Sequence, residues 1–377
     1  MNIRLFPARG GDCFLVDFEN GHCILIDGGY SDTYKRSLKS YLQFLHGKGR
    51  QLDYVILTHY DADHINGLIA FLRDNGADQR IIKVGEVIVN GLCSQACDDS
   101  DIEQVAEIKT GVEIAPAGPV QEYCFEKLCM DNHYPINRFN GGKNITAGVV
   151  AKGEGYELRF VSPSPKQLDI CYEQLKQQLI HKEYRQNIKN LQNLAINMQE
   201  EMYQKEGIVI SQASGYADMD IIRWKEKAFP DTFSVVNQAS LAFEILHAGK
   251  ALLFCGDADM STHRDDLSRD SYDLIKLSHH GTVRGNECFF GENSVKADKY
   301  IISTDSKRRD REHPSRRLLG ELLTEERDNP IVFYFNYDIV GTVNNSTYRL
   351  LKDKGQQEKY RFDVDFGDNT ITFQLQV

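Results

Sequence analysis

The stretch Thr58-His59-Tyr60-Asp61-Ala62-Asp63-His64 constrains this chain more than any other. It follows the apolar run Tyr54-Val55-Ile56-Leu57, which reads as a buried strand. It precedes Ile65 to Leu72, which reads as the opening of a helix. Four metal-capable side chains therefore fall at one strand-to-helix junction. Such a concentration of charge is costly unless something pairs it. The offsets allow His59 and Asp61 to serve one metal ion while Asp63 and His64 serve a second about 3.5–4 Å away, a spacing suited to hydrolysis.

Further candidates recur where apolar runs end. Cys13 to Phe18 and His22 to Ile26 read as a hairpin closed by Asn20-Gly21, and Asp27-Gly28-Gly29 follows the second strand. Ala251 to Cys255 ends at Gly256-Asp257-Ala258-Asp259. Leu274-Ile275-Lys276-Leu277 ends at Ser278-His279-His280-Gly281-Thr282. Tyr300 to Thr304 is followed by Asp305 and then His313-Pro314. Strands are also expected at 3–6, 158–161, 331–335, 346–350, 359–365 and 370–376, and helices at 33–48, 66–74 and 315–324. Arg9-Gly10-Gly11-Asp12 reads as a turn. Residues so far apart in sequence meet only if a layered fold brings their loops to one edge of its sheets.

The chain has 377 residues, enough for a single large domain over 1–377 with an insertion at about 91–233. Residues 167–205 are rich in Gln, Asn, Lys and Glu, and Trp224 lies in a second polar, helix-like stretch. Together they make 167–228 a mainly helical lid or a surface for a protein partner. Lys plus Arg total 44 against 55 Asp plus Glu, a formal charge of -11 that argues against a broad nucleic-acid footprint. The basic run at Lys307, Arg308, Arg309 and Arg311 is the best candidate for a local phosphate-attracting patch. Nine scattered cysteines and the absence of a secretory segment read as a reduced, cytoplasmic protein. Neither Cys93/Cys97 nor Cys124/Cys129 has the tight spacing of a structural zinc knuckle. No window is long and apolar enough to cross a membrane.

In this order the motifs resemble those of the metallo-beta-lactamase superfamily, over roughly 1–90 and 234–320. The family's His-x-His-x-Asp-His motif stands here as His59 to His64, with Asp61 in place of the second His. With Gly256-Asp257, Ser278 to Thr282 and His313-Pro314, it looks most like the hydrolase domain of the DNA-uptake channel protein ComEC and its free-standing relatives. The resemblance implies an α+β fold: a four-layer αβ/βα sandwich with an inserted, mainly helical region. It implies that Asp27 orients the loop at 59–64, and that His59 and Asp61 serve a first metal position. Asp63, His64 and one of His279 or His280 would serve a second, with Asp257 bridging both. Of the two histidines, His279 is the expected ligand because it comes first off the strand, and His280 then supports it or contacts phosphate. Where the superfamily usually offers a further His, this chain has Asn237. The implied cofactor is one or two Zn²⁺ ions; an amide at 237 makes the first position weak or turns it toward Mn²⁺ or Mg²⁺. Asp63 or Asp257 would take the proton of an activated water, and His313 would serve the leaving group. The implied activity is hydrolysis of a phosphodiester in nucleic acid or a nucleotide. An ester, lactone or thioester hydrolase is the second reading, and a non-catalytic metal-binding module the third.

Overall fold

A computed structural model describes residues 1–91, 119–180, 220–226, 233–306, 312–340, 346–367 and 371–375. Its apolar runs become two sheets. Strands β1 (Asn2–Leu5), β2 (Phe14–Asp17), β3 (His22–Ile26), β4 (Gln51–Ile56) and β5 (Val84–Ile88) belong to the first. The second takes β6 (Val150–Gly153), β7 (Tyr156–Ser162), β8 (Ala242–His247) and β9 (Lys250–Phe254). A short β10 (Ser271–Tyr272) precedes β11 (Leu274–Lys276), and a short β12 (Lys296–Ala297) precedes β13 (Lys299–Ile302). After them come β14 (Ile331–Phe335), β15 (Phe362–Phe366) and β16 (Ile371–Gln374). The first sheet runs β16-β1-β2-β3-β4-β5 and the second β15-β14-β13-β11-β9-β8-β7-β6, while β10 and β12 pair with each other. Each sheet is antiparallel on one side and parallel on the other.

Side-chain alternation then dictates the layers. One face of the first sheet, with Ile3, Phe14, Ile24 and Ile56, packs on Phe243, Leu252, Phe254 and Ile301 of the second. Phe14 and Phe254 meet edge to face across the two sheets, their centroids 5.8 Å apart. The outer face of the first sheet packs on helices through Leu42, Leu68, Phe71 and Phe125. The outer face of the second does so through Trp224, Leu318, Leu319 and Leu322. Two sheets face to face, each backed by helices, make the four-layer sandwich.

Three boundaries differ from those expected. The span 91–233 is more than an insertion, because β6 and β7 extend the second sheet and β7 pairs with β8. Residues 346–350, expected as a strand, lie in a 3-10 turn at Ser346–Lys352, followed by the helix Lys354–Tyr360. The alternation there was too short to separate a turn that buries Tyr348 and Leu350 from a strand. The helix after β4 begins at Ala62, not 66, so Asp63 and His64 stand in its first turn. In the stretch 167–228, a helix at Pro165–Ile180 and a 3-10 turn at Ile221–Glu226 are described, and residues 181–219 lie outside the described residues. Among the described residues no helix is long and apolar enough to cross a membrane.

Candidate metal centre

The site is built by loops that leave the strands along one edge of both sheets. After β3 the chain turns at Asp27, in left-handed backbone (φ 54°), which Asp tolerates better than most residues. Asp27 is fully buried and accepts three hydrogen bonds. Thr58 N–H donates to Oδ1 at 2.8 Å, Thr58 Oγ1 donates to Oδ2 at 2.7 Å, and His64 Nδ1 donates to Oδ2 at 2.8 Å. A carboxylate can only accept, so the His64 proton sits on Nδ1 and leaves Nε2 for the cleft. The same logic fixes His59, whose Nδ1 lies 3.1 Å from a Thr58 hydroxyl already spent on Asp27. It also fixes His280, whose Nδ1 donates to Ser303 O at 3.0 Å.

All three Nε2 atoms converge on one carboxylate oxygen. Asp257 Oδ2 lies 3.8 Å from His59 Nε2, 3.6 Å from His64 Nε2 and 3.5 Å from His280 Nε2. Asp61 Oδ2 is 3.6 Å from His59 Nε2, and Asp63 Oδ2 is 3.9 Å from His280 Nε2. Two ligand atoms each about 2.1 Å from one tetrahedral ion lie about 3.4 Å apart. The observed spacings are close to those of a coordination sphere and longer than direct hydrogen bonds. Buried and without a hydrogen-bond partner among the described residues, His59 Nε2 and His64 Nε2 would be costly to leave so. The donor set fits a divalent cation. His59, His64 and Asp257 would hold it together, and Asp63, His64 and His280 form a second such group, with Asp61 beside His59.

The electrostatics agree. Burial lowers the pKa of His64, but Asp257 and Asp27 outweigh it and leave it well above the ordinary 6.5. His280 is likewise pulled down by burial and raised on balance by Asp257 and Asp12. Burial raises Asp257, yet His280 and His64 bring it well below the usual carboxylate range. Such a cluster seeks positive charge, which protons or a metal ion can supply.

Residues 7–91, from ahead of β2 to beyond β5, match the model of the metallo-beta-lactamase superfamily. The chain has the metallo-beta-lactamase fold. No curated protein matches it. Among solved structures it is similar to Zn(2+)-bound PqqB from Methylobacterium extorquens, at 10% identity and a TM-score of 0.41 over 100% of both chains. It is also similar to the metallo-beta-lactamase fold protein YhfI from Bacillus subtilis, at 11% identity and a TM-score of 0.39 over 99% of this chain and 100% of that one.

Within the metallo-beta-lactamase fold, the paired histidines, of which His279 is the expected ligand, point different ways. His280 brings Nε2 into the cleft, whereas His279 turns its ring toward Phe233, 5.0 Å between centroids, and His313, 5.4 Å. Both histidines adopt left-handed backbone, φ 47° and 57°, ahead of Gly281 at φ 85°. Such residues cost about 1–3 kcal/mol each and survive only where their surroundings impose them. His313 is buried, its ring 5.9 Å from that of His280. Asn237 lies in the short helix Val235–Gln238 and is tied locally: its N–H donates to Ser234 Oγ at 3.0 Å, and its Oδ1 accepts from that hydroxyl. Lys307 and Arg308 lie outside the described residues, as do Cys93 and Cys97. Two participants were missed altogether. Asp12, taken for part of a turn, and Lys276, taken for part of an apolar strand, are both buried against the cleft. A lysine inside the run Leu274 to Leu277 was the available signal.

Proposed function

We propose that the protein is a metal-dependent hydrolase whose substrate is a phosphodiester in nucleic acid or a nucleotide. The observation that carries the hydrolase reading is the convergence of His59, His64 and His280 Nε2 on Asp257 Oδ2 at 3.5–3.8 Å. The chemistry an ion supplies there is Lewis acidity, which makes water nucleophilic near neutral pH. The protein's residues do the rest. Asp27 and Ser303 hold the imidazoles in one tautomer. Asp61 and Asp63 form the open lip of the cleft, their side chains 35% and 12% exposed, while Asp257 lies beneath at 3%. That exposure favours Asp63 as the base that takes the water's proton. His313, next to His280 and His279, is placed to protonate the leaving oxygen.

The phosphodiester reading is supported by the motif order and by one cation. Arg284 is exposed, lies 5.4 Å from the Phe233 ring and pairs with Asp259 at 3.6 Å. Phe233 in turn touches His279. A guanidinium beside an aromatic face suits a phosphate and its base. Zn²⁺ and Mn²⁺ are the cofactors to try first.

The test is metal analysis of the purified protein, followed by a screen of bis-p-nitrophenyl phosphate, single-stranded DNA, and an aryl ester, lactone and thioester. Metal-dependent cleavage of the phosphodiesters, lost in Asp257→Ala, is the expected result. Cleavage of the esters alone would move the assignment to the second class of substrate. Failure to take up any divalent ion would end the enzyme reading and favour a binding module.

A further inference from the structure

Lys276 is the last residue of β11 and is fully buried. An ammonium in such a place must be paired. Its Nζ contacts Asp12 Oδ2, donates to Gly256 O at 2.8 Å and lies 3.7 Å from Asp257 Oδ1. The other Asp12 oxygen, Oδ1, lies 3.4 Å from His280 Nδ1. Asp12 is itself anchored to the neighbouring loops. Its N–H donates to Asp63 O at 3.2 Å, and its carbonyl accepts from Gly29 N–H at 2.8 Å. Ser303, whose carbonyl takes the His280 proton, donates its hydroxyl to Gly11 O at 2.6 Å. Gly11 approaches so closely that a Cβ there would stand 1.9 Å from Asp63 O.

The pair therefore ends on two of the candidate ligands. We propose that Asp12 and Lys276 are positioning residues of the metal centre: Lys276 attracts Asp257 Oδ1 so that Oδ2 faces the cleft, and the Asp12 carboxylate, behind the Nδ1 side that Ser303 O binds, holds the His280 ring by charge with Nε2 inward. This rests on the reading that the cleft holds a divalent ion. A pair that merely filled a polar gap between the sheets would have no need to contact both residues. Through it, loops of both sheets set one coordination sphere: Asp12 belongs to the turn before β2, and Lys276 to β11. Lys276 also offsets the negative charge that Asp12 and Asp257 bring together.

The test measures Zn²⁺ affinity by chelator competition, the Co²⁺ absorption spectrum and metal-free thermal melting. The proteins are the full-length wild type, Lys276→Met and the double variant Asp12→Asn/Lys276→Met. Breaking a buried pair is strongly destabilising, whereas removing both charges is often tolerated. The double variant is thus expected to melt near the wild type even where the single variant does not fold. Both variants, if folded, are expected to bind Zn²⁺ about 10–100-fold more weakly, as loss of a supporting partner typically does. Their Co²⁺ bands are expected to shift, because the orientation of Asp257 and His280 has changed. A double variant that binds Zn²⁺ within about twofold of the wild type, with an unchanged Co²⁺ spectrum, overturns the proposal and leaves the metal centre standing. A wild type that binds neither ion overturns the metal reading itself.

Discussion

At the scale of single residues, the pair His279 and His280 separates what a motif conveys from what only backbone geometry conveys. Their chemistry is identical and they are adjacent, yet one ring enters the cleft and the other packs on Phe233 and His313. We expect His280→Ala to lose a metal equivalent, or to bind it far more weakly, and His279→Ala to keep the wild-type stoichiometry by elemental analysis. The reverse pattern would make His279 the ligand and His280 its neighbour. His59, Asp61, Asp63, His64 and Asp257 were legible in the chain because several ligand types crowd together at the ends of apolar runs. The choice between the two histidines was not, since it depends on two consecutive positive φ angles that no residue type announces. Asp12 escaped notice because an Asp after two glycines is what an ordinary turn looks like. Lys276 escaped because one charge does not disturb an apolar run.

At the scale of elements, the site depends on how tightly the helix Ala62–Asn75 sits on the turn after β3. Gly28 N–H donates to His64 O and Gly67 N–H to Gly29 O, each at 2.8 Å. A Cβ on Gly67 would stand 1.9 Å from Gly28 O, so helix and turn meet backbone to backbone. Gly67→Ala must push them apart, and with them Asp27 from His64. Overpacking of this kind typically costs about 1–3 kcal/mol. We expect a lower urea midpoint of about that size together with weaker metal binding, although residue 67 touches no ion. A stability loss with unchanged affinity would mean that the Asp27–His64 hydrogen bond survives the displacement. Strand cores such as 54–57 and 251–255 were readable because apolar runs bounded by polar clusters fit few alternatives. The helix start at Ala62 was less so, because Asp61 and Asp63 serve the cleft and the first helical turn together.

At the scale of the whole molecule, the cleft joins two halves. Loops of the first sheet bring Asp12, Asp27, His59, Asp61, Asp63 and His64, and loops of the second bring Asp257, Lys276 and His280. An ion held across them stabilises the native state over the unfolded one, by about 2.7 kcal/mol at a hundredfold excess over Kd. The size of that effect must depend on pH, because protons compete for the same nitrogens. In the metal-free protein His64 and His280 are raised above 6.5, as the carboxylates of Asp257, Asp27 and Asp12 outweigh burial. A group raised on folding contributes stability that is fully present below its unfolded value and is lost as pH rises through its folded value. The metal-free protein should therefore lose stability as pH climbs above 6.5, while ion binding strengthens as the protons leave. At the acid end the sign reverses. Burial raises Asp12, but Lys276 and His280 bring it to about 2, so its contribution is present above 3.8 and lost as pH falls toward 2. Thermal melts with and without Mn²⁺, from about pH 5 to about pH 8.5, should show a gap that widens as pH rises and closes toward the acid side. A gap that stayed constant across the range would mean that the ion is held by carboxylates alone and that the three imidazoles do not bind it.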